Sequence, residues 1–345
     1  MPTWRQGIAV GEWRQVANSA LSSAPMAVKT YPTLGGTGPE SKTMAWTGFS
    51  IDTRDGSVYS AANGGHNDYA GNEVNRIRLL DNAPAWTELR PSTPASQVAT
   101  STSHYSDGRP TSRHTYYGSV FNEVRGRAMT FAGSRFGDGW MTNTVDGFNP
   151  SLGDWDAART YPNVPRSFES LQGGAVTIQR NTGNVYTFAD WSIERWNNSS
   201  NTWTTMIANS SIYGQAAATA FDTRRNRILV IGGEVNDHGV YDVATNTAQN
   251  VTFTGPNAGA TSGSGNGLVY DPLLDAFLLR KSGAGATIYR INAQTFSVDT
   301  LTTSAGSQIP SAINDVWSRF LYVPQLKGIA YFPAYSSGVW FLRTY

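Results

Sequence analysis

The 345-residue sequence contains no cysteine, little lysine and no long hydrophobic run. The absence of cysteine excludes disulfides, thiolate metal sites and a cysteine nucleophile. No stretch approaches the roughly 18 apolar residues of a membrane helix, so the sequence predicts no membrane span. The net charge is +1 and no extended basic run is present, which disfavours a nucleic-acid partner.

Secretion and helical architecture are also disfavoured. Residues 1–10 have no long apolar core, so no secretory signal peptide is predicted and we expect a cytoplasmic or virion-associated protein. Long uninterrupted helical patterns are absent. What the chain does have is 35 glycines and 12% aromatic residues, a combination typical of many short strands joined by tight turns.

One pattern repeats six times along the chain. An apolar residue closes a strand, a polar turn follows, and a second apolar strand starts seven residues later. Each turn is rich in Asp, Asn, Gly or Arg, as hairpin connections are. The six apolar pairs are Ile51 and Val58, Phe121 and Ala128, Ile178 and Val185, Phe221 and Ile228, Tyr270 and Phe277, and Tyr322 and Ile329. Repeats of this size predict the blades of a β-propeller.

A second pattern follows five of these copies and predicts a third strand, a turn and an outer fourth strand. Its pairs are Ile77 and Trp86, Phe148 and Trp155, Trp196 and Trp203, Tyr241 and Ala248, and Ile291 and Val298. The sequence therefore predicts one all-β domain over residues 1–345, built of four-stranded antiparallel blades. The predicted blades span approximately 44–91, 112–160, 168–207, 213–254, 264–303 and 311–345.

The sixth blade has no room for an outer strand before the C-terminus. An unused strand lies at the other end of the chain, at residues 11–17 around Trp13, within an N-terminal segment of residues 1–35. An open seam would expose two sheet edges, which favour aggregation. We therefore expect the N-terminal strand to complete the sixth blade and close the ring.

The repeats resemble the kelch family of β-propellers in degenerate form. The resemblance lies in the double glycines Gly64-Gly65 and Gly232-Gly233, the aromatic-Asp/Asn step of the third strands and the Trp seven residues later. Blades three, five and six lack the double glycine. The resemblance covers nearly the whole chain and implies a six-bladed propeller.

Two unusual segments are predicted to meet on one face of the disc, where loops carry function. The loop after the second strand of blade one contains His66, Asn67, Asp68 and Tyr69, and the segment leading into blade two contains His104 and residues 109–117. Trp191 and His238 belong to the corresponding loops of blades three and four. The candidate ligand-binding residues are His66, Asn67, Asp68, Tyr69, His104, Arg113, His114, Trp191 and His238.

These residue types suit a polysaccharide lyase acting on a uronic-acid glycan by β-elimination. That reaction needs a cation for the carboxylate, a base and an acid. His66, Arg113, His114 and Tyr116 are the candidate catalytic residues, and their composition is similar to that of some propeller lyases. A structural role for the same residues, in packing and loop hydrogen bonds, is the alternative.

No cofactor is expected. Asp68, Asn72 and Glu73 supply oxygen atoms that suit Ca²⁺, but their spacing is not that of a known calcium loop, so a solvated turn is favoured. An exposed Trp191, on the same predicted face as Phe168 and Glu169, would offer a surface for a sugar ring.

Three functions follow from these observations. The favoured one is a recognition module that binds a glycan or protein partner through one face, within a larger assembly such as a phage tail or capsid. The alternatives are the polysaccharide lyase and an intracellular kelch-type scaffold. The fold alone does not choose among them.

Overall fold

The computed structural model describes residues 1–28, 34–165, 174–235, 238–305 and 309–345. Six mainly antiparallel sheets form the six blades of a β-propeller, as the repeats predict. Each blade has four main strands, called A to D from the centre outward. None of the helices in these ranges is long and apolar enough to cross a membrane.

The blades follow one another along the chain after strand β1 (Glu12–Gln15) and the single-turn helix α1 (Ser41–Met44). Blade 1 is β2 (Ser50–Asp52), β3 (Ser57–Ala61), β4 (Val74–Arg78) and β5 (Trp86–Arg90). Blade 2 is β6 (Arg113–His114), β7 (Ser119–Asn122), β8 (Arg127–Arg135), β9 (Met141–Asn149) and β10 (Asp154–Trp155). Blade 3 is β11 (Ala175–Gln179), β12 (Asn184–Ala189), β13 (Ser192–Asn197) and β14 (Thr202–Ile207).

The second half of the ring has the same plan. Blade 4 is β15 (Ala217–Asp222), β16 (Arg227–Gly232), β17 (Gly239–Asp242) and β18 (Thr247–Asn250). Blade 5 is β19 (Gly267–Asp271), β20 (Ala276–Arg280), β21 (Ile288–Asn292) and β22 (Val298–Leu301), followed by β23 (Ser304–Ala305). Blade 6 contains β24 (Phe320–Val323), β25 (Gly328–Tyr331) and β26 (Trp340–Arg343). Short 3₁₀ turns lie at Thr3–Arg5, Leu21–Ser23, Ala95–Gln97, Ala258–Thr261, Trp317–Arg319 and Pro324–Leu326.

The strand register confirms the repeat residue by residue. All six pairs predicted across the A and B strands are directly paired residues in the sheets. All five pairs predicted across the C and D strands are also directly paired. Several AB turns begin with an Asp or Asn whose side chain accepts a backbone N–H two or three residues on, as Asp52 does from Arg54 and Asn122 does from Arg125. That bond fixes the turn, and the turn fixes the register.

The N-terminal strand closes the ring, as expected. Strand β1 pairs antiparallel with β26 and provides the D strand of blade 6. Strand β23 then adds to the outer edge of β1 in parallel. Trp13 is buried, donates its indole N–H to the carbonyl of Ala286 at 3.1 Å, and packs its ring edge against Tyr331. The two ends of the chain are thus joined in one sheet.

Blade 2 carries an extra strand at its start. Within the segment that leads into the blade, Arg113 and His114 form the two-residue strand β6, and the A strand β7 starts at Ser119. Strand β6 pairs with the far end of the nine-residue strand β8. Blade 2 is therefore taller than the others at this end.

The disc has two faces that carry different connections. The BC loops and the DA loops, which lead into each A strand, share one face, called here the loop face. The AB and CD turns share the other, called the turn face. On the turn face, polar contacts join neighbouring blades, such as Glu123 with Thr53 and Arg180, and Arg225 with Asp275. The apolar core lies between blades, and the A strands surround a central channel.

Candidate functional site

The loop face holds a connected group of side chains where blades 6, 1 and 2 meet. We call Trp46, His66, Asp68, His114, Tyr116 and Trp317 the aromatic arc. His114 is at its centre, with ring centroids 5.1 Å from Trp46, 5.7 Å from His66 and 6.0 Å from Tyr116. Tyr116 contacts Trp317 at 5.2 Å. The arc thus extends from the BC loop of blade 1 to the DA loop of blade 6.

Hydrogen bonds between DA loops hold these residues side by side. The Tyr116 N–H donates to the Trp46 carbonyl at 2.7 Å, which joins blade 2 to blade 1. The Ser318 hydroxyl donates to the Tyr116 carbonyl at 3.1 Å, and the Phe49 N–H donates to the Ser318 carbonyl at 3.2 Å. Gly48 is required at this junction, because an added Cβ would lie 2.3 Å from the Tyr116 carbonyl oxygen.

Four members of the arc have a left-handed backbone. Their φ angles are +47° at Trp46, +44° at His66, +49° at Tyr116 and +49° at Trp317. A bulky side chain in this region is a steric outlier, and such residues cluster at functional sites. Among the described residues, just one other aromatic side chain, Phe296, has a positive φ.

A comparison of the blades shows which of them place an aromatic residue at this left-handed position. A positive-φ residue lies one to four positions before the A strand in blades 1, 2, 4, 5 and 6. Blades 4 and 5 fill it with Ala216 and Gly265, which are small. Blades 1, 2 and 6 fill it with Trp46, Tyr116 and Trp317. The turn is a property of the fold, whereas the aromatic side chains are confined to one sector of the five blades compared.

The centre of the arc is an imidazole–carboxylate pair. His114 Nε2 lies 2.8 Å from Asp68 Oδ2, and the Thr37 hydroxyl donates to Asp68 Oδ1. Burial, together with the neighbouring His66, lowers the pKa of His114 overall, although Asp68 acts to raise it. Burial alone would raise the pKa of Asp68, but the bonds from His114 and Thr37 lower it overall. Asp68 is therefore ionised and His114 neutral near pH 7, with the imidazole donating from Nε2.

The arc presents both ring surface and polar groups to solvent. Trp46 is 36% exposed, the His66 side chain is exposed, and the Asp68 side chain is 31% exposed. His114, Tyr116 and Trp317 are buried beneath them. On the outer side, His66 abuts Gly139, where an added Cβ would lie 2.4 Å from the imidazole, and the neighbouring Trp140 is 61% exposed.

Arg113 points away from the arc, although it precedes His114. Adjacent residues of a strand project to opposite sides, and strand β6 therefore directs Arg113 inward. Its guanidinium is fully buried and donates to Asp146 Oδ2 at 2.9 Å, while His104 Nε2 lies 2.8 Å from Asp146 Oδ1. Burial would raise the pKa of Asp146, but Arg113 and His104 lower it overall. This buried triad fixes the DA loop of blade 2.

The remaining predicted ligands occupy three separate environments. Asn67 is exposed beside His66, whereas Tyr69 is buried and donates to Glu73 at 3.0 Å. Trp191 in blade 3 is 44% exposed and contacts Tyr213. His238 in blade 4 accepts the Gly232 N–H and packs on Phe253. Phe168 and Glu169, which the sequence places on the same face as Trp191, lie outside the described residues.

The three oxygen donors considered for Ca²⁺ have protein partners of their own. Asp68 pairs with His114, Glu73 is buried against Lys42 at 2.7 Å, and Asn72 bonds to Thr93. No group of three or more His, Asp or Glu side chains suited to a metal occurs in the described part of the chain.

Sequence reasoning brought His66, Asp68, His114 and Tyr116 together but missed Trp46 and Trp317. Both tryptophans lie just before an A strand, at the position that Tyr116 occupies in blade 2. The signal that would have found them is the alignment of the DA loops of successive blades, which shows aromatic residues at a turn position elsewhere filled by alanine or glycine.

Comparisons with known proteins support the fold. No protein-family model and no curated protein matches the chain. Among solved structures, the structure of YjhT is similar with a TM-score of 0.54 and 12% identity, over 87% of this chain and 94% of that chain. The structure of U3-55K is similar with a TM-score of 0.51 and 10% identity, over 86% and 94%. At these identities the likeness establishes a β-propeller and leaves the function to the site.

Proposed function

We propose that this propeller is a recognition module that binds a glycan through the loop-face sector of blades 6, 1 and 2. The observation that carries the proposal is the aromatic arc, in which four bulky residues keep a strained backbone around the buried His114 and its partly exposed partner Asp68. Strain that packing does not require is retained where it positions groups for a ligand.

The exposed part of the arc has the chemistry that sugars need. Trp46 offers a flat apolar ring to the C–H face of a pyranose. The Asp68 carboxylate is ionised and accepts hydrogen bonds from vicinal hydroxyls. His66, whose exposed ring contacts that of His114, adds a further ring nitrogen. Polar groups that converge beside an apolar surface are the usual arrangement of a small-ligand site.

The charges favour a neutral glycan over a uronic acid. The nearby guanidiniums are already paired, Arg113 with Asp146, Arg135 with Asp138 and Arg109 with Asp107. To use Arg113, the candidate catalytic cation, a uronate carboxylate would have to displace Asp146 from this fully buried guanidinium, and breaking a buried pair costs about 3–5 kcal/mol. This argues against β-elimination at this site, because that reaction requires a cation for the carboxylate.

Kinship with kelch propellers, membership of a phage tail or capsid, and the intracellular scaffold alternative remain predictions from the sequence. The double glycine of blade 1 is consistent with kinship to kelch propellers. Gly64 and Gly65 both have positive φ and approach Tyr69 and Arg113 closely. A glycan-binding face is compatible with a receptor-binding role in a virion.

Glycan-array binding followed by titration of the best neutral oligosaccharide tests the proposal. We expect Trp46→Ala to abolish detectable binding, and Trp191→Ala, which removes an exposed tryptophan of blade 3, to leave it unchanged. Absorbance near 235 nm with uronic-acid polysaccharides is the parallel assay. A rise that disappears in His114→Ala would replace the recognition proposal with the lyase.

A further inference from the structure

The central channel is a cavity separate from the exposed surface of the aromatic arc, and Trp317 borders both. Its volume is about 300 Å³, and it is surrounded by the A strands of all six blades. Most of its wall is apolar and includes Ile51, Val176, Leu268 and Leu321. Pockets of roughly 300–1,000 Å³ with apolar walls are typical small-molecule sites.

The two ends of the channel differ. At the loop-face end, Tyr117 of blade 2 reaches across and donates its hydroxyl proton to the Asn266 carbonyl of blade 5 at 2.7 Å. Trp317 packs against Tyr117 at 4.9 Å, and both rings are buried. At the turn-face end, Thr223 is exposed and Thr53 and Pro324 are half-buried. The cavity is therefore most accessible from the turn face.

Among the described residues, one charged side chain lines this cavity. The Arg180 side chain is 34% exposed at the turn-face end, and Nη1 donates to Glu123 Oε1 at 2.9 Å and to the Ile51 carbonyl at 3.2 Å. Glu123 Oε1 also accepts the Thr53 N–H and hydroxyl. The carboxylate is thus shared among three donors, and both contacts of Arg180 use Nη1, which leaves the Nη2 side of the guanidinium for a further acceptor.

We propose that the central channel binds a small amphipathic carboxylate, such as a medium-chain fatty acid, with its apolar tail in the channel and its carboxylate at Arg180. The apolar wall removes the tail from water. A guanidinium fork suits a carboxylate better than a neutral head group. The closed loop-face end limits the tail to a length that a cavity of this volume holds.

Isothermal titration with octanoate, and with octanol as the uncharged partner of the same length, tests the proposal. We expect one octanoate per chain. Arg180→Gln should weaken octanoate about tenfold, the value of one lost charged hydrogen bond, and leave octanol unchanged. Arg224→Gln, which removes an exposed arginine of the turn face outside the cavity, is the matched control and should change neither.

A variant that fills the cavity separates the channel from the outer surface. Val176 lines the channel and is only partly buried, so Val176→Phe should remove binding of both octanoate and octanol. Ser119→Leu, also on the channel wall, serves if Val176→Phe does not fold. The absence of octanoate binding at millimolar concentration, native-like binding in the folded filling variant, or an unchanged octanoate affinity in Arg180→Gln would overturn the proposal.

Discussion

Tyr117 and Asn266 are joined by a hydrogen bond of 2.7 Å between blade 2 and blade 5, which face each other across the six-bladed ring. Burial raises the pKa of Tyr117 well above its ordinary value, so the hydroxyl remains a donor at every ordinary pH. The bond spans the loop-face end of the channel, where the Tyr117 ring packs against Trp317 of the aromatic arc. It joins this side of the ring to blade 5.

Tyr117→Phe should lower the free energy of unfolding by about 1–2 kcal/mol, because the Asn266 carbonyl loses its donor in a buried place. Urea unfolding followed by tryptophan fluorescence measures this. Tyr289→Phe, at a half-buried ring of strand β21, is the control and should change the free energy by less than about 0.5 kcal/mol. Equal effects of the two variants would show that the cross-ring bond contributes nothing.

The ring closure by β1 predicts a large effect at Trp13. Its side chain is 2% exposed, lies beneath the guanidinium of Arg280 and bonds to Ala286. Trp13→Ala should cost about 3–5 kcal/mol of unfolding free energy, the usual range for a buried tryptophan. The same unfolding assay measures it, and a cost below about 1 kcal/mol would mean that β1 does not hold the seam closed.

The backbone at Trp46 predicts an unusual order of substitutions. Glycine normally destabilises relative to alanine, but a left-handed residue favours glycine by roughly 1–2 kcal/mol. Trp46→Gly should therefore be more stable than Trp46→Ala by about 1 kcal/mol, while both lose glycan binding. At Trp140, whose φ is not positive, the same two substitutions should show the opposite order. Thermal unfolding of the four variants compares them directly.

The His114–Asp68 pair predicts a dependence on pH. Burial places the folded-state pKa of His114 below the ordinary value of about 6.5. The unfolded chain therefore binds more protons than the folded one just below pH 6.5, so the contribution of His114 is present above that pH and declines as pH falls towards the folded pKa. Asp68 affects stability at lower pH. Its pKa is also lowered, so its contribution to stability declines as pH falls through that value.

Nuclear magnetic resonance of the His114 ring protons measures this titration. The midpoint should lie below 6.5, and in Asp68→Asn it should move lower still, because the carboxylate that favours the charged imidazole is gone. A midpoint above 6.5 in the native protein, or an upward shift in the variant, would contradict the assignment of a neutral His114 and an ionised Asp68.

Much of the fold could be predicted from the sequence because each repeat contains local turn residues that specify its hairpins. The Asp, Asn and Gly residues of each AB turn fix the hairpin, and the hairpin fixes partners such as Ile51 with Val58 or Ile178 with Val185. The extra strand β6 was not predicted. It pairs with strand β8, which is unusually long, and no turn residue in the sequence indicates that length.

The site was only partly predictable. The topology of a propeller brings the BC loop of blade 1 next to the DA loop of blade 2, so His66, Arg113 and His114 were expected to meet. The inward direction of Arg113 depends on the two-residue strand β6 and on its pairing with Asp146. Trp46 and Trp317 were not predicted. Their importance comes from a left-handed backbone, and a tryptophan in the sequence does not indicate that conformation.

The most direct test of the central claim is a fluorescence titration of native protein, Trp46→Ala and Trp191→Ala with the neutral oligosaccharide that binds best on an array. The account predicts saturable binding to native protein and to Trp191→Ala, and no binding to Trp46→Ala. Binding that survives in Trp46→Ala and is lost in Trp191→Ala would move the site to blade 3 and contradict the assignment of the aromatic arc.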